Sequence, residues 1–201
     1  IIATGTVPRR LGVENEDVLG SRGITWCAIC DGPMYKGKDV IVIGGGNSGV
    51  EEAAYLATLA NKVTVIQDQP QLTADVKAQE ILRSKENVEI ILGAAVNKFV
   101  LKDDHSMAGV EITKADGTIE TVKGDGAFEY VGLIPVTEMV KDLGVTNKFG
   151  YVEVNEKMET KVTGVYSAGD VNAKQIRQVV TATSDGAIAV QNALKYLETW
   201  E

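Results

Sequence analysis

The sequence has one histidine, His105, and two cysteines, Cys27 and Cys30, among 201 residues. A closed zinc site takes four ligands, usually cysteine and histidine. His105 stands far from both cysteines in the polar stretch Asp103-Asp104-His105-Ser106, so no metal site is expected. Lysine and arginine number 20 against 28 aspartates and glutamates, a net charge of −8. That balance argues against nucleic-acid binding, which needs clustered cations to displace phosphate counterions. No apolar stretch approaches the roughly 20 residues needed to cross a bilayer, and no secretory signal is recognisable. The expected partners therefore include neither nucleic acid nor membrane, and the expected compartment is the cytoplasm. Repeats, linkers and low-complexity segments are also missing. With 44% hydrophobic and 24% charged residues, the composition is that of an ordinary globular protein.

In a reducing compartment a lasting structural disulfide is disfavoured. Two cysteines without further ligands then point to dithiol–disulfide chemistry, the bland alternative being buried small hydrophobes. They are spaced Cys27-Ala28-Ile29-Cys30, followed by Asp31-Gly32. Such a pair at the start of a short helix gains thiolate from the helix N-terminus. One sulfur then meets a partner disulfide while the other resolves the mixed disulfide. Asp31 adjoins the pair; its bland reading is a solvated acid at a helix start.

Soon after Cys30 a glycine-rich turn follows the apolar run Val40-Ile41-Val42-Ile43. It reads Gly44-Gly45-Gly46-Asn47-Ser48-Gly49 and leads into an apolar-periodic segment from Val50. Strand, glycine turn and helix in this order form a dinucleotide-binding fingerprint. Gly44 permits the tight turn, Gly46 lets the backbone approach a pyrophosphate, and Gly49 lets helix pack on sheet. Asn47 and Ser48 are candidate pyrophosphate donors; as helix-cap residues they would need no cofactor. Glu51 and Glu52 read as a solvated or ribose-facing pair.

The pattern continues as a helix over about 47–60, a strand over 63–66, a helix over about 74–86 and a strand over 88–92. Such alternation makes parallel strands with right-handed crossovers. A three-stranded meander follows over 96–101, 107–113 and 118–122, turning at Ala115-Asp116-Gly117. A buried strand at 127–131 closes the sheet. Short strands are expected at 150–154 and 164–168, and a helix from Lys174 to Leu197 with a bend at Ser184-Asp185-Gly186. Its apolar face would hold Ile176, Val179, Val180, Ala187, Val190, Leu194 and Leu197. Ile1 to Gly5 reads as a buried strand end and Thr6 to Arg10 as a loop, so the chain looks truncated at its N-terminus.

Ile1-Ile2-Ala3-Thr4-Gly5, the Cys27 to Gly32 segment, the Gly44 to Gly49 turn and Val165-Tyr166-Ser167-Ala168-Gly169-Asp170-Val171 occur in fixed order. Together they resemble the bacterial low-molecular-weight thioredoxin reductase family and the flavoprotein subunit of alkyl hydroperoxide reductase. The resemblance implies an α/β fold in which a Rossmann-like nucleotide-binding domain with its meander, residues 11–127, is inserted in a partial FAD-binding Rossmann-like domain, residues 1–10 and 128–201. The family's first glycine motif for FAD is not in this sequence. The resemblance makes Cys27 and Cys30 the redox pair and Asp31 the acid that protonates a departing thiolate. It assigns FAD contacts to Thr4, Gly5, Gly169, Asp170, Lys174, Gln175, Arg177 and Gln178. For Asp170 the bland alternative is an N-cap of the following helix. It also implies a homodimer and thioredoxin or a thioredoxin-like protein as partner.

Family members that use NADPH carry an arginine cluster after the second strand, which clamps the 2′-phosphate. Here that run is Gln67-Asp68-Gln69-Pro70-Gln71-Leu72-Thr73, with no arginine. Asp68 would repel a phosphate and suits a ribose diol, so NADH is the expected nucleotide rather than NADPH. The expected activity carries electrons from NAD(P)H through FAD to Cys27–Cys30 and on to a protein disulfide. The alternatives are a ferredoxin-linked or other-donor flavin disulfide reductase, and a non-catalytic redox or nucleotide-binding fragment.

Overall fold

A computed structural model describes residues 1–20 and 22–199. In chain order the elements are β1 (Thr6–Pro8), α1 (Glu16–Leu19), β2 (Ile24–Thr25), α2 (Ala28–Asp31), β3 (Asp39–Ile43), α3 (Asn47–Leu56), β4 (Lys62–Gln67), α4 (Val76–Arg83) and β5 (Val88–Leu92). They continue with β6 (Ala94–Leu101), β7 (Met107–Lys114), β8 (Ile119–Lys123), β9 (Gly126–Glu129), β10 (Leu133–Pro135) and α5 (Val179–Glu198). The chain divides into two compact units, Ile1–Arg9 with Gly132–Glu201, and Arg10–Val131.

The unit Arg10–Val131 is built on a five-stranded parallel sheet ordered β2-β9-β3-β4-β5. Both of its faces are covered, which is why its strands are continuous apolar runs rather than alternating ones. One face (Val40, Val42, Val63, Val65, Phe128) packs on Val50, Ala53 and Leu56 of α3. The other (Ile41, Ile43, Ile66, Ala127) packs on Phe99, Val110 and Ile112 of the antiparallel sheet β6-β7-β8. The expected parallel sheet and meander are both present. The meander turns at Gly117 (φ +84°), with the Asp116 carboxylate accepting the Thr118 amide at 2.9 Å.

Some boundaries move. The helix expected over about 47–60 ends at Leu56, and the one expected over 74–86 is confined to Val76–Arg83. Asn47 Oδ1 accepts the Asp75 amide at 2.7 Å, which fixes where α4 can begin. The two-residue strand β2 and the one-turn helix α1 are additions, too short to leave a periodic signal.

In the other unit, Thr6–Pro8 is a strand rather than a loop. It pairs antiparallel with β10 in the register Thr6↔Pro135, Val7↔Ile134, Pro8↔Leu133. The strands expected at 150–154 and 164–168 shrink to isolated bridges: Val152↔Asn172, Glu159↔Tyr166 and Ile2↔Ser167. Helix α5 starts at Val179 rather than Lys174 and runs unbroken through 184–186. Its buried side is Asp185 and Ala189, next to Tyr166, Ala168, Ala193 and Tyr196. The apolar face read from the sequence is solvent-facing instead: Ile176, Val179, Val180, Val190, Leu194 and Leu197 are all exposed.

Candidate redox and nucleotide site

The carboxyl ends of a parallel sheet are where ligands bind in open α/β folds. In the Arg10–Val131 unit three features meet at that edge: the cysteine pair after β2, the glycine turn after β3, and Gln67-Asp68 at the end of β4. Cys27 is extended (φ −145°, ψ 98°) and is the N-cap of α2. Cys27 and Cys30 form a disulfide with Cα atoms 5.3 Å apart. The Cys30 amide donates to Cys27 Sγ at 3.2 Å, so the helix N-terminus points at that sulfur. Cys30 and Ile29 are exposed and Cys27 is half-buried. The Asp31 carboxylate accepts the Thr25 hydroxyl, and Thr25 Oγ1 accepts the Cys27 amide at 3.4 Å. Asp31 is thereby tied through Thr25 to the backbone of Cys27.

Sequence reasoning missed the residues that hold the pair. The Trp26 indole donates to Glu129 Oε2 at 2.9 Å, and the Ala28 amide donates to the Tyr130 hydroxyl at 2.8 Å. Glu129 is 2% exposed, and its second oxygen, Oε1, is buried without a partner among the described residues. Burial, then the Glu16 carboxylate, push its carboxyl from 4.5 up to about 7, against the opposing pull of Trp26 and Arg10. Buried Glu16 accepts the amides of Leu11, Gly12 and Val13 at 3.0, 2.7 and 3.2 Å. Arg10 lies 5.1 Å over the Trp26 ring. No short-range motif marks these contacts.

At the glycine turn the requirement for glycine is steric. Gly44 has φ +116°, and a Cβ there would meet Tyr130 O at 2.4 Å; one on Gly49 would meet Gly44 O at 2.0 Å. At Gly46 the nearest atom to a Cβ is Thr73 Oγ1 at 3.8 Å, which leaves open space beside the backbone. Gln67 is buried, and its Oε1 accepts the Gly45 amide at 3.0 Å, so the turn occupies it. Asn47 is paired with Asp75 through both side-chain atoms, Nδ2 donating to Asp75 Oδ2 at 3.1 Å. Ser48 is exposed on the first turn of α3. Glu52 Oε2 is buried without a partner, and burial, then Glu51, raise its carboxyl above the usual range. A cleft of about 330 Å³ opens along Gly44, Gly45 and Gly46, with Gln67, Asp68 and Thr73 among its walls. Among the described residues no lysine or arginine lines it.

The candidate FAD residues lie in the other unit. Thr4 donates to the Val136 carbonyl, and Gly5 (φ +71°) accepts the Val136 amide at 3.0 Å. Gly169 (φ +86°) donates its amide to Asp185 Oδ2 at 3.0 Å, and the Lys174 ammonium is held by the same carboxylate. Asp170 Oδ1 is buried and has no hydrogen-bond partner among the described residues. Its carbonyl accepts Arg177 Nε at 3.3 Å, and the Arg177 guanidinium stacks 4.4 Å over Tyr151. Asp170 caps no helix, since α5 starts nine residues later. Gln175 and Gln178 are exposed, and the Gln178 amide donates to Thr181 Oγ1 at 3.2 Å at the start of α5. Asn172, and Asp185, which the sequence suggests only as part of a bend, organise this loop: Asn172 Oδ1 accepts the Ser167 hydroxyl at 2.5 Å, and Asp185 accepts the Gly169 amide. Among the described residues no cluster of His, Cys, Asp and Glu could hold a metal ion.

The model of the pyridine nucleotide-disulphide oxidoreductase family matches residues 1–186. The chain is 42% identical over 199 residues to a thioredoxin reductase of Listeria monocytogenes, covering 98% of this chain and 62% of that protein. Against a thioredoxin reductase of Bacillus subtilis it is 40% identical over 205 residues, covering 98% of this chain and 63% of that protein. The crystal structure of a thioredoxin reductase from Streptococcus pyogenes superposes with a TM-score of 0.89 at 40% identity, covering 99% of this chain and 65% of that one. The chain thus spans under two thirds of the length of each of these relatives.

Proposed function

Since this chain belongs to the pyridine nucleotide-disulphide oxidoreductase family, we propose that the full protein is a flavin-dependent reductase of thioredoxin or a thioredoxin-like disulfide. One observation carries the reading. The Cys27–Cys30 disulfide sits, solvent-accessible, at a helix start on the same sheet edge as a glycine turn with open space at Gly46. The Arg10–Val131 unit takes the nicotinamide nucleotide, and Ile1–Arg9 with Gly132–Glu201 contributes to the FAD site. The orphaned Asp170 Oδ1 fits such a cofactor, because a ribityl hydroxyl would satisfy it. FAD supplies the two-electron couple between a reduced nicotinamide and a disulfide.

The chain's own groups then act as follows. In the dithiol form the helix N-terminus and the Cys30 amide stabilise a thiolate on Cys27. That thiolate attacks one sulfur of the partner disulfide and displaces the other, which takes a proton. Cys30 then displaces the partner from Cys27. The Cys27–Cys30 disulfide re-forms and the partner leaves as a dithiol, having gained two electrons and two protons. Asp31, held by the Thr25 hydroxyl, protonates the departing sulfur in this reading.

Asp68 lines the cleft and no arginine is among the described residues there to clamp a 2′-phosphate, which supports NADH as the nucleotide. The test is turnover of the full protein with thioredoxin. NADH should exceed NADPH in kcat/KM by roughly tenfold or more, about one charge-assisted contact. An NADPH preference overturns the donor, and absence of thiol-dependent turnover with either nucleotide overturns the NAD(P)H-linked reductase. The homodimer belongs to the same reading, and sedimentation of the full protein checks it.

A further inference from the structure

We infer that Glu129 and Tyr130 are positioning residues that bracket Cys27 from opposite faces of the sheet and set the poise of the Cys27–Cys30 pair. The inference rests on the proposed redox role of that pair. Successive residues of a strand point to opposite faces. Glu129 ends β9 on the face that carries Ala127 and the meander, and there it takes the Trp26 indole at 2.9 Å. Tyr130 packs with Phe128 on the α3 side, and there it takes the Ala28 amide at 2.8 Å. Trp26 and Ala28 are the two neighbours of Cys27. Between them the chain passes over the sheet edge with Cys27 at the crossing.

The Tyr130 contact has a chemical consequence. Ala28 is the first residue of α2, so its amide is one of the free N–H groups of the helix start. Tyr130 occupies that amide and leaves the Cys30 amide as the donor on Cys27 Sγ. Tyr130 satisfies the Ala28 amide in the geometry that holds the two cysteine Cα atoms 5.3 Å apart, which favours the disulfide over the dithiol. Burial, then the Glu52 carboxylate, hold the Tyr130 hydroxyl well above its usual ionisation range, so it stays neutral. Without the hydroxyl, the Ala28 amide is an unpaired buried donor in the disulfide state, whereas the unbridged dithiol leaves the segment free to shift and hydrate it.

The test equilibrates the full protein with glutathione. Two glutathione thiols become one glutathione disulfide as Cys27–Cys30 becomes two thiols, and alkylation followed by mass measurement reads the fraction reduced. In Tyr130→Phe the equilibrium should move toward the dithiol by at least about fivefold, the low end for an unpaired buried donor. On the other face, Glu129→Leu should displace the equilibrium, and Glu129→Gln, which keeps an acceptor for Trp26, should restore it. A Tyr130→Phe equilibrium within about twofold of the parent, smaller than any loss of a buried pairing, overturns the inference even if Glu129→Leu fails to fold. A parent pair that does not cycle reversibly with glutathione sinks the proposed function instead.

Discussion

At Glu129 a carboxylate only 2% exposed lies between the Trp26 indole and the field of Glu16, with one oxygen unpaired. Its folded carboxyl titrates at about 7 and its ordinary value is 4.5, so the fold binds a proton that the unfolded chain has released in between. The contribution to stability is therefore complete below about pH 4.5 and is lost as pH rises through about 7. Its span is of the order of 3 kcal/mol. Glu129→Gln keeps the acceptor for Trp26 and removes the titration. In urea unfolding at a series of pH values, the variant should gain on the parent between about pH 5 and pH 7 and hold a constant lead above. A stability difference that does not change with pH would show that Glu129 is not held protonated by its surroundings.

Among the elements, the β3–turn–α3 unit forms in the order the sequence reads, with α3 ending early at Leu56, and its glycines fail in different ways when substituted. Alanine in a helix normally stabilises by up to about 1 kcal/mol over glycine. At Gly49 the Cβ would lie 2.0 Å from the Gly44 carbonyl, so the helix must move off the strand. Gly49→Ala should cost roughly 1–3 kcal/mol in denaturant unfolding, as an overpacked site does. Gly46→Ala meets nothing closer than 3.8 Å and should change stability by less than about 1 kcal/mol, the range for glycine and alanine at an N-cap. If a pyrophosphate lies in that space, the same variant weakens NADH binding by calorimetry, and unchanged binding would place the nucleotide elsewhere. This unit was legible because its contacts are local: an apolar run, a turn and a helix within about twenty residues. The tail was not. Ile176, Val179, Val180, Val190, Leu194 and Leu197 recur at helical spacing, yet all are exposed, and the packed side is marked by Asp185 and Ala189 instead. Periodicity reports that a helix exists and not which side this chain covers. Glu129 and Tyr130 left no signal at all, because their partners are 103 and 102 residues away and depend on β2 and β9 being neighbours.

For the molecule as a whole, the role of the disulfide follows from how little of the fold depends on it. The bond joins residues three apart, a ring of four residues. In the chain-entropy account so short a loop restrains the unfolded chain by roughly 2 kcal/mol, against nearly 5 for a loop of about 100 residues. The Arg10–Val131 unit is held instead by two apolar faces of a five-stranded sheet, packed on α3 and on the meander. Neither contact requires the sulfurs to be joined. A bond that adds little to stability and lies at the surface can open and close without loosening the scaffold that positions it. Reduction with dithiothreitol should therefore leave the far-UV circular dichroism unchanged. Tm should fall by less than about 8 °C, given roughly 2–4 °C per kcal/mol at this chain length. Cooperative loss of structure on reduction would make Cys27–Cys30 a structural brace, and the electron-transfer reading of this edge of the sheet would fail with it.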